Sequence, residues 1–226
     1  FPTDRPYKWE GEDLESSYKA KRTIIEAYMH NKLRISDYQT TVSKLVLDYI
    51  DYGNCFATVE SVYETKENPF TGELETGYVG PKLVRLSPMD IVFNPAAVSF
   101  SDSGKIIRSM NTLGSLKKLI ETRPEMNYLE DVFEKVLNNR HSFKGYSEGD
   151  FSKETSYSIA GFTSFYNYFT SDQVEILEYY GDIYDPETQE LQTDRVVTIV
   201  DRHYVIRNVA NPSWSTSAPI FHTGWR

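Results

Sequence analysis

Residue types able to do chemistry are present in this chain, but their spacing works against it. His30, His141, His203 and His222 stand far apart, and no two share the four-residue spacing by which one helix face holds a zinc ion. A single thiol, Cys55, excludes an intramolecular disulfide and any zinc site that needs several thiolates. It follows Gly53-Asn54 at the start of a strand-like run and reads as a small buried hydrophobe. Neither Gly72-Glu73-Leu74-Glu75-Thr76-Gly77 nor Gly145-Tyr146-Ser147-Glu148-Gly149 has the spacing or the strand-to-helix setting of a phosphate cradle. The serines lack the strained Gly-x-Ser-x-Gly turn that exposes a hydrolase nucleophile. What remains is a set of carboxylates, Glu64, Glu67, Glu73 and Glu75, with Lys66 nearby. Such a set could gather a divalent cation for nuclease chemistry. Its bland counterpart is a solvated turn whose charges protect a hairpin edge from aggregation, and the same reading covers Glu187 and Glu190.

Aromatic residues raise a second chemical possibility. Phe162, Phe165, Tyr166, Tyr168 and Phe169 could stack on unpaired bases if cations stood among them, but no Lys or Arg occurs between Glu154 and Glu190. Packing or a protein interface is the better reading. The 33 acidic residues against 24 basic, a formal net charge of -9, also argue against a surface built to grip phosphate. Loose contact with DNA is compatible with that balance, since a conduit gains nothing from strong ionic contacts along its wall.

The elements that must position these residues are legible in the hydrophobic pattern. Asp13 to Asn31 places Leu14, Tyr18, Ile24, Ile25 and Tyr28 at helical spacings. Ser36 with Gln39 predicts a capping box, after which Val42, Leu45, Val46, Tyr49 and Ile50 mark one apolar face up to a left-handed cap at Gly53. Cys55 to Glu64 and Leu74 to Val79, joined through Asn68-Pro69-Phe70-Thr71-Gly72, predict a β-hairpin with a polar tip. Short strands are expected over Lys82 to Leu86, Ile91 to Phe93 and Lys105 to Met110. Helices are expected over Ser115 to Glu121 and Glu125 to Leu137, the second burying Leu129, Val132, Phe133, Val136 and Leu137. Residues 138–172 read as an irregular linker, and Val174 to Tyr184, Arg195 to Val200 and His203 to Arg207 as a β-rich region.

The fold class is therefore α+β: amphipathic helices and a β-hairpin unit, followed by a β-rich C-terminal region. It divides into a helical and hairpin region over 1–137, the linker over 138–172 and the β-rich region over 173–226. No stretch of about 18 apolar residues occurs, so no membrane span is expected. The opening Phe1-Pro2-Thr3-Asp4-Arg5 is neither a signal peptide nor an initiator start, and the chain is expected to begin inside a longer one.

A resemblance enters through short phrases in a fixed order. Leu86-Ser87-Pro88-Met89-Asp90-Ile91-Val92-Phe93-Asn94-Pro95 is followed, much later, by Val174-Glu175-Ile176-Leu177-Glu178-Tyr179-Tyr180-Gly181-Asp182-Ile183-Tyr184-Asp185. Then come Val197-Thr198-Ile199-Val200-Asp201-Arg202, Val205-Ile206-Arg207, Asn211-Pro212-Ser213-Trp214 and His222-Thr223-Gly224-Trp225-Arg226. From about Leu45 onward, and most specifically in its last third, the chain resembles the portal proteins of short-tailed and related tailed bacteriophages.

That resemblance implies a portal wing- or clip-like fragment of a structural subunit rather than an enzyme. The subunit would belong to a homo-oligomeric, typically dodecameric ring at one capsid vertex of the virion, made in the bacterial cytoplasm. Double-stranded DNA passes through such a ring during packaging and ejection without tight binding. A terminase packaging motor docks on it during filling, and head-tail adaptor and capsid proteins are its other partners. It implies no cofactor and no metal. In portals the last phrase leads into long helices, so the chain is expected to stop before them. The exposed turn Asp185, Pro186, Glu187, Thr188, Gln189 and Glu190, polar and flanked by strands, is the expected partner contact. Two other readings stay open: a non-catalytic adaptor or tail module of a phage particle, and a metal-dependent nuclease using the hairpin carboxylates.

Overall fold

A computed structural model of the chain describes residues 16–94, 96–142, 151–159, 161–162, 164–186, 188–213 and 218–224. It is an α+β protein whose chain divides into two compact units, one of residues 1–88 with 219–226 and one of residues 89–218. The expected boundaries at 137 and 172 fall elsewhere, because both lie inside the second unit. The linker between them forms two short helices. Gly145 to Asp150, with Leu14, Pro95, Trp214, Trp225 and Arg226, lie outside the described residues.

The first unit holds α1 (Ser16–Ile35), α2 (Tyr38–Tyr52), β1 (Asn54–Glu67), β2 (Leu74–Leu86) and β8 (Ile220–Gly224). Its three-stranded antiparallel sheet has the order β2-β1-β8. Gly53 caps α2 in the left-handed region as its sequence position predicts, φ 71°, with its N–H donating to Tyr49 O at 3.0 Å. The capping box at Ser36 does not form. Asp37 takes the cap position at φ 56°, while Ser36 Oγ turns back and donates to Leu33 O at 3.1 Å. The two helices meet too closely for Ser36 to adopt the extended conformation a box requires. The runs expected as separate strands at 74–79 and 82–86 are one strand that pairs with β1 without a break through Gly80, the register shift falling at Gly77.

Burial within this unit is sparse. Among the described residues, Phe56, Ala57 and Tyr78 are its buried hydrophobic ones, and the Asp48 carboxylate, also buried, holds the Arg85 guanidinium bidentately. The inner face of α1 is Arg22, Glu26, Met29 and Leu33, leaving Ile24, Ile25 and Tyr28 exposed. On α2, Val46, Leu47 and Ile50 are exposed in the same way. Of the apolar stripes that periodicity marks, Ile24, Ile25 and Tyr28 on α1 and Val46 and Ile50 on α2 are exposed, whereas Val42, Leu45 and Tyr49 are half-buried.

The second unit is built on a five-stranded antiparallel sheet, β3-β4-β5-β6-β7, from β3 (Ile91–Phe93), β4 (Lys105–Thr112), β5 (Gln173–Asp185), β6 (Glu190–Val200) and β7 (Tyr204–Ala210). Helices α3 (Leu113–Thr122) and α4 (Glu130–His141) supply Leu116, Phe133 and Val136, which pack with Val174, Ile176, Val200 and Ile206 of the sheet. Leu129, expected in that core, is the exposed residue preceding α4. Thr112 caps α3 by accepting the Ser115 N–H, and Glu130, Asp131 and then Arg140, His141 put acidic and basic side chains at the ends of α4 that the helix dipole favours.

Strand β5 carries a register shift between Gly181 and Ile183, and Gly181 sits at φ +151°, where a Cβ would lie 2.7 Å from Tyr179 Oη and 3.1 Å from the Gly104 backbone. Because a backbone atom closes one side, the ring cannot simply swing away. Gly181→Ala should therefore destabilise the second unit by about 1–3 kcal/mol, read as a lower urea midpoint. An unchanged midpoint would mean that the bulge relaxes freely.

Candidate functional site

Each residue singled out by the sequence has a definite place. Asp185 and Glu190 are cross-strand partners closing the β5–β6 hairpin. Asp185 Oδ1 accepts the Thr188 N–H at 3.4 Å and Gln189 adopts φ 57°, so the turn is tied by its own first side chain. Pro186, Thr188, Gln189 and Glu190 are exposed; Glu187 lies outside the described residues. Directly behind the turn, Tyr184 and Leu191 face each other across the strands and are both more than half exposed. A polar tip backed by an uncovered apolar pair has the composition of a contact surface.

The carboxylates of the β1–β2 hairpin are spread along it rather than drawn together. Glu64 pairs with Lys82 at 3.3 Å, Glu75 accepts from Asn68 Nδ2 at 2.7 Å, and Glu73 is exposed; the side chain of Glu67 lies outside what is described. Among the described residues, no group of three or more His, Cys, Asp or Glu side chains is placed to hold a metal ion. The histidines are on separate elements: His30 in α1, His141 at the end of α4, His203 in the β6–β7 turn and His222 in β8. His222 stacks on Phe56 with ring centroids 4.9 Å apart, its Nε2 is 3.0 Å from Asn54 Oδ1, and partial burial lowers its pKa. Cys55 is half-buried on β1, and burial raises its thiol pKa, which disfavours the reactive thiolate.

The densest cluster of ionisable side chains was invisible in the sequence. It joins α4, the α5 helix (Phe151–Ile159), the α6 helix (Phe165–Thr170), β5 and the β6–β7 turn. Arg140 Nε donates to Asp201 Oδ2 at 2.9 Å and Nη2 to Oδ1 at 2.6 Å, both side chains being almost wholly buried. The Tyr168 hydroxyl also donates to Asp201 and accepts the Glu175 N–H at 2.7 Å. Glu175, equally buried, accepts both Arg202 Nε and Nη2, with Arg108 Nε 3.8 Å away. Arg140 lies 4.9 Å from the Tyr168 ring centroid and Arg202 4.6 Å from that of Tyr157, so the guanidinium planes have both carboxylate and π partners.

These aromatics form a small core of their own: Tyr157, Phe165, Tyr168 and Phe169 are buried, with Phe162 packed against them, while Tyr166 is exposed. Ser164 caps α6 by accepting the Asn167 N–H at 3.0 Å, and Glu154 accepts the Phe165 N–H at 2.8 Å, which fixes the entry to that helix. The cations missing from the aromatic segment come instead from 108, 140 and 202. Chemically the cluster is a closed clamp in which the two buried carboxylates are matched by guanidinium groups.

Burial and the neighbouring Asp201 charge push the Tyr157 phenol up to about 12, and the same two causes raise Tyr168 further. An acid whose folded pKa is raised gives stability that is complete below its unfolded pKa, about 10, and is lost as pH rises through the folded value. Stability should therefore fall between about pH 10 and 12. In a titration followed at 295 nm, these two phenolates should emerge only together with loss of near-ultraviolet circular dichroism. Complete phenolate formation near pH 10 in a folded protein would contradict the burial described.

Among the described residues, most of the exposed large hydrophobic side chains lie in the first unit. Ile24 is 69% exposed, Ile50 69%, Tyr63 69% and Phe70 95%. Tyr63 and Val79 are direct cross-strand partners, and Val59 projects from the same side of β1, so one face of the hairpin presents exposed apolar side chains on both strands.

No protein-family model matches the chain, and no curated protein matches it. Among the described residues no helix is long and apolar enough to cross a membrane.

Proposed function

We propose that this chain is part of a ring-forming structural subunit of the portal type, which holds open a capsid-vertex channel for double-stranded DNA and offers docking surfaces to a packaging motor and to adaptor proteins. The observation that carries the reading is the set of exposed apolar side chains in the first unit: Ile24, Ile25 and Tyr28 on α1, Val46, Leu47 and Ile50 on α2, and Tyr63 and Val79 on the β1–β2 hairpin. Groups of exposed large apolar side chains mark association with other protein.

Two further features support the choice of a DNA-conducting ring among assembling proteins. The ordered phrases from Leu86 to Gly224 resemble those of portal proteins. The formal charge of -9 suits a wall along which DNA slides rather than binds, since repulsion at low ionic strength keeps a polyanion from sticking. In this reading the clamp around Asp201 makes the second unit a stiff body able to bear load, and the tip at Asp185 to Glu190 is its contact for a partner or neighbour.

Electron microscopy of the purified gene product that contains this chain, at its natural length and under reducing conditions, tests the proposal. Closed radial rings with an axial hole wide enough for duplex DNA are expected. Dispersed monomers at every protein concentration would instead favour a non-catalytic adaptor module.

A further inference from the structure

We infer that the outer half of the β1–β2 hairpin of one copy seats on the exposed face of α1 in the next copy, joining copies head to tail. The inference rests on the ring reading above and names the surfaces that would make the ring. Both halves of the contact lie in the first unit, and each combines exposed apolar side chains with charge of opposite sign.

On the helix side, Ile24, Ile25 and Tyr28 are exposed on one stretch of α1. Among the described side chains of the same helix, the exposed charged ones are Lys21 and Arg34, a formal net of +2, while Arg22, Glu26 and Lys32 are half-buried. On the hairpin side, Val59, Tyr63, Val79, Leu74 and Phe70 are exposed. Among the described side chains of residues 59–79, the exposed charged ones are Glu60, Glu73 and Glu75 against Lys66, a formal net of -2. Pairing inside one copy does not remove the opposition: Arg22 meets Glu26 and Glu64 meets Lys82, yet the helix stays net positive and the hairpin tip net negative.

A protein that bears two different patches complementary to each other meets its best partner in another copy of itself. Because the patches differ, the contact is heterologous, and its repetition produces a ring when the rotation per copy closes. Apolar side chains at the centre supply affinity, while the surrounding charges select orientation and raise the rate of encounter. A like-patch, two-fold contact would instead bring net +2 against net +2 or net -2 against net -2, which repulsion disfavours.

Two charge-reversed proteins test this, each changed only at exposed positions. The first carries Lys21→Glu and Arg34→Glu, the second Glu60→Lys and Glu73→Lys. Assembly is followed by mass photometry and sedimentation velocity at matched ionic strength, with circular dichroism and thermal melting confirming that each variant folds. Either variant alone should need at least a tenfold higher concentration to assemble than the unchanged protein. An equimolar mixture should recover assembly, because the reversed helix of one attracts the reversed hairpin of the other in an alternating ring. If each variant alone assembles as the unchanged protein does, or if neither the variants nor their mixture assembles, the hairpin-to-helix contact is overturned. The ring reading survives both of those results. An unchanged protein that stays monomeric at all concentrations overturns the ring reading itself, and with it this contact.

Discussion

Asp201→Ala should lower the stability of the second unit by about 3–5 kcal/mol, the loss typical when one member of a buried ion pair is removed and the other is left uncompensated. Asp201 accepts both guanidinium bonds from Arg140 and the hydroxyl of Tyr168, and its side chain is 1% exposed, so no solvent replaces it. The residue also stands in the left-handed region at φ 51°, where alanine is disfavoured by a further fraction of that amount. Against a whole-unit stability of roughly 5–15 kcal/mol, the change should bring the unit close to unfolding at ordinary temperature. Urea denaturation followed by near-ultraviolet circular dichroism reads it. The double variant Arg140→Met with Asp201→Asn should recover part of the loss, because it leaves no buried charge without its counter-ion. A single variant within 1 kcal/mol of the parent would show the pair to be solvated.

Phe133→Ala should have an effect of similar size by a different route. The Phe133 ring is 4% exposed and is the aromatic member of the core that joins α3 and α4 to β5, β6 and β7. Its neighbours Leu116, Val136, Val174 and Ile206 are themselves fixed by helix and sheet, so the space it leaves cannot collapse fully. The expected loss is about 3–5 kcal/mol in the same urea transition. Phe133→Leu, which keeps most of the volume, should lose less than half of that. Equal losses for the two variants would point to an effect of α4 itself rather than to a cavity. The first unit, whose residues contribute nothing to this core, should keep its own transition in both cases.

The sequence discloses those parts of this molecule that depend on neighbours along the chain. Gly53 as a left-handed cap, the polar tip at Asn68 to Gly72, and strands at 91–93 and 105–110 follow from local turn chemistry and alternation, and all are present, the last running on to Thr112. The turn at Asp185 was legible for the same reason. The α6 helix was not, because what holds it comes from outside the segment: Asp201 through Tyr168 and Arg140 across its rings, partners about 30 residues away on either side. The clamp had no linear signal, its members Arg140, Tyr168, Glu175, Asp201 and Arg202 sharing no period. Ser36 shows the opposite failure, in which a correct local pattern yields to the tight α1–α2 connection. On α1 and α2 periodicity identified the apolar residues but not what covers them. Ile24, Tyr28, Val46 and Ile50 are at helical spacing and exposed, so the pattern alone did not tell a buried residue from an exposed one.

Hydrogen exchange measured by mass spectrometry, above and below the concentration at which the gene product assembles, tests the central claim most directly: that assembly covers the apolar faces of the first unit. Exchange should slow on assembly in α1 from residue 20 to 35, in α2 from 43 to 52 and along the hairpin from 59 to 79. The core strands β5 and β6 should exchange equally slowly in both states. Assembly with unchanged exchange throughout these first-unit segments, or a protein that remains monomeric across the whole range, would contradict the account.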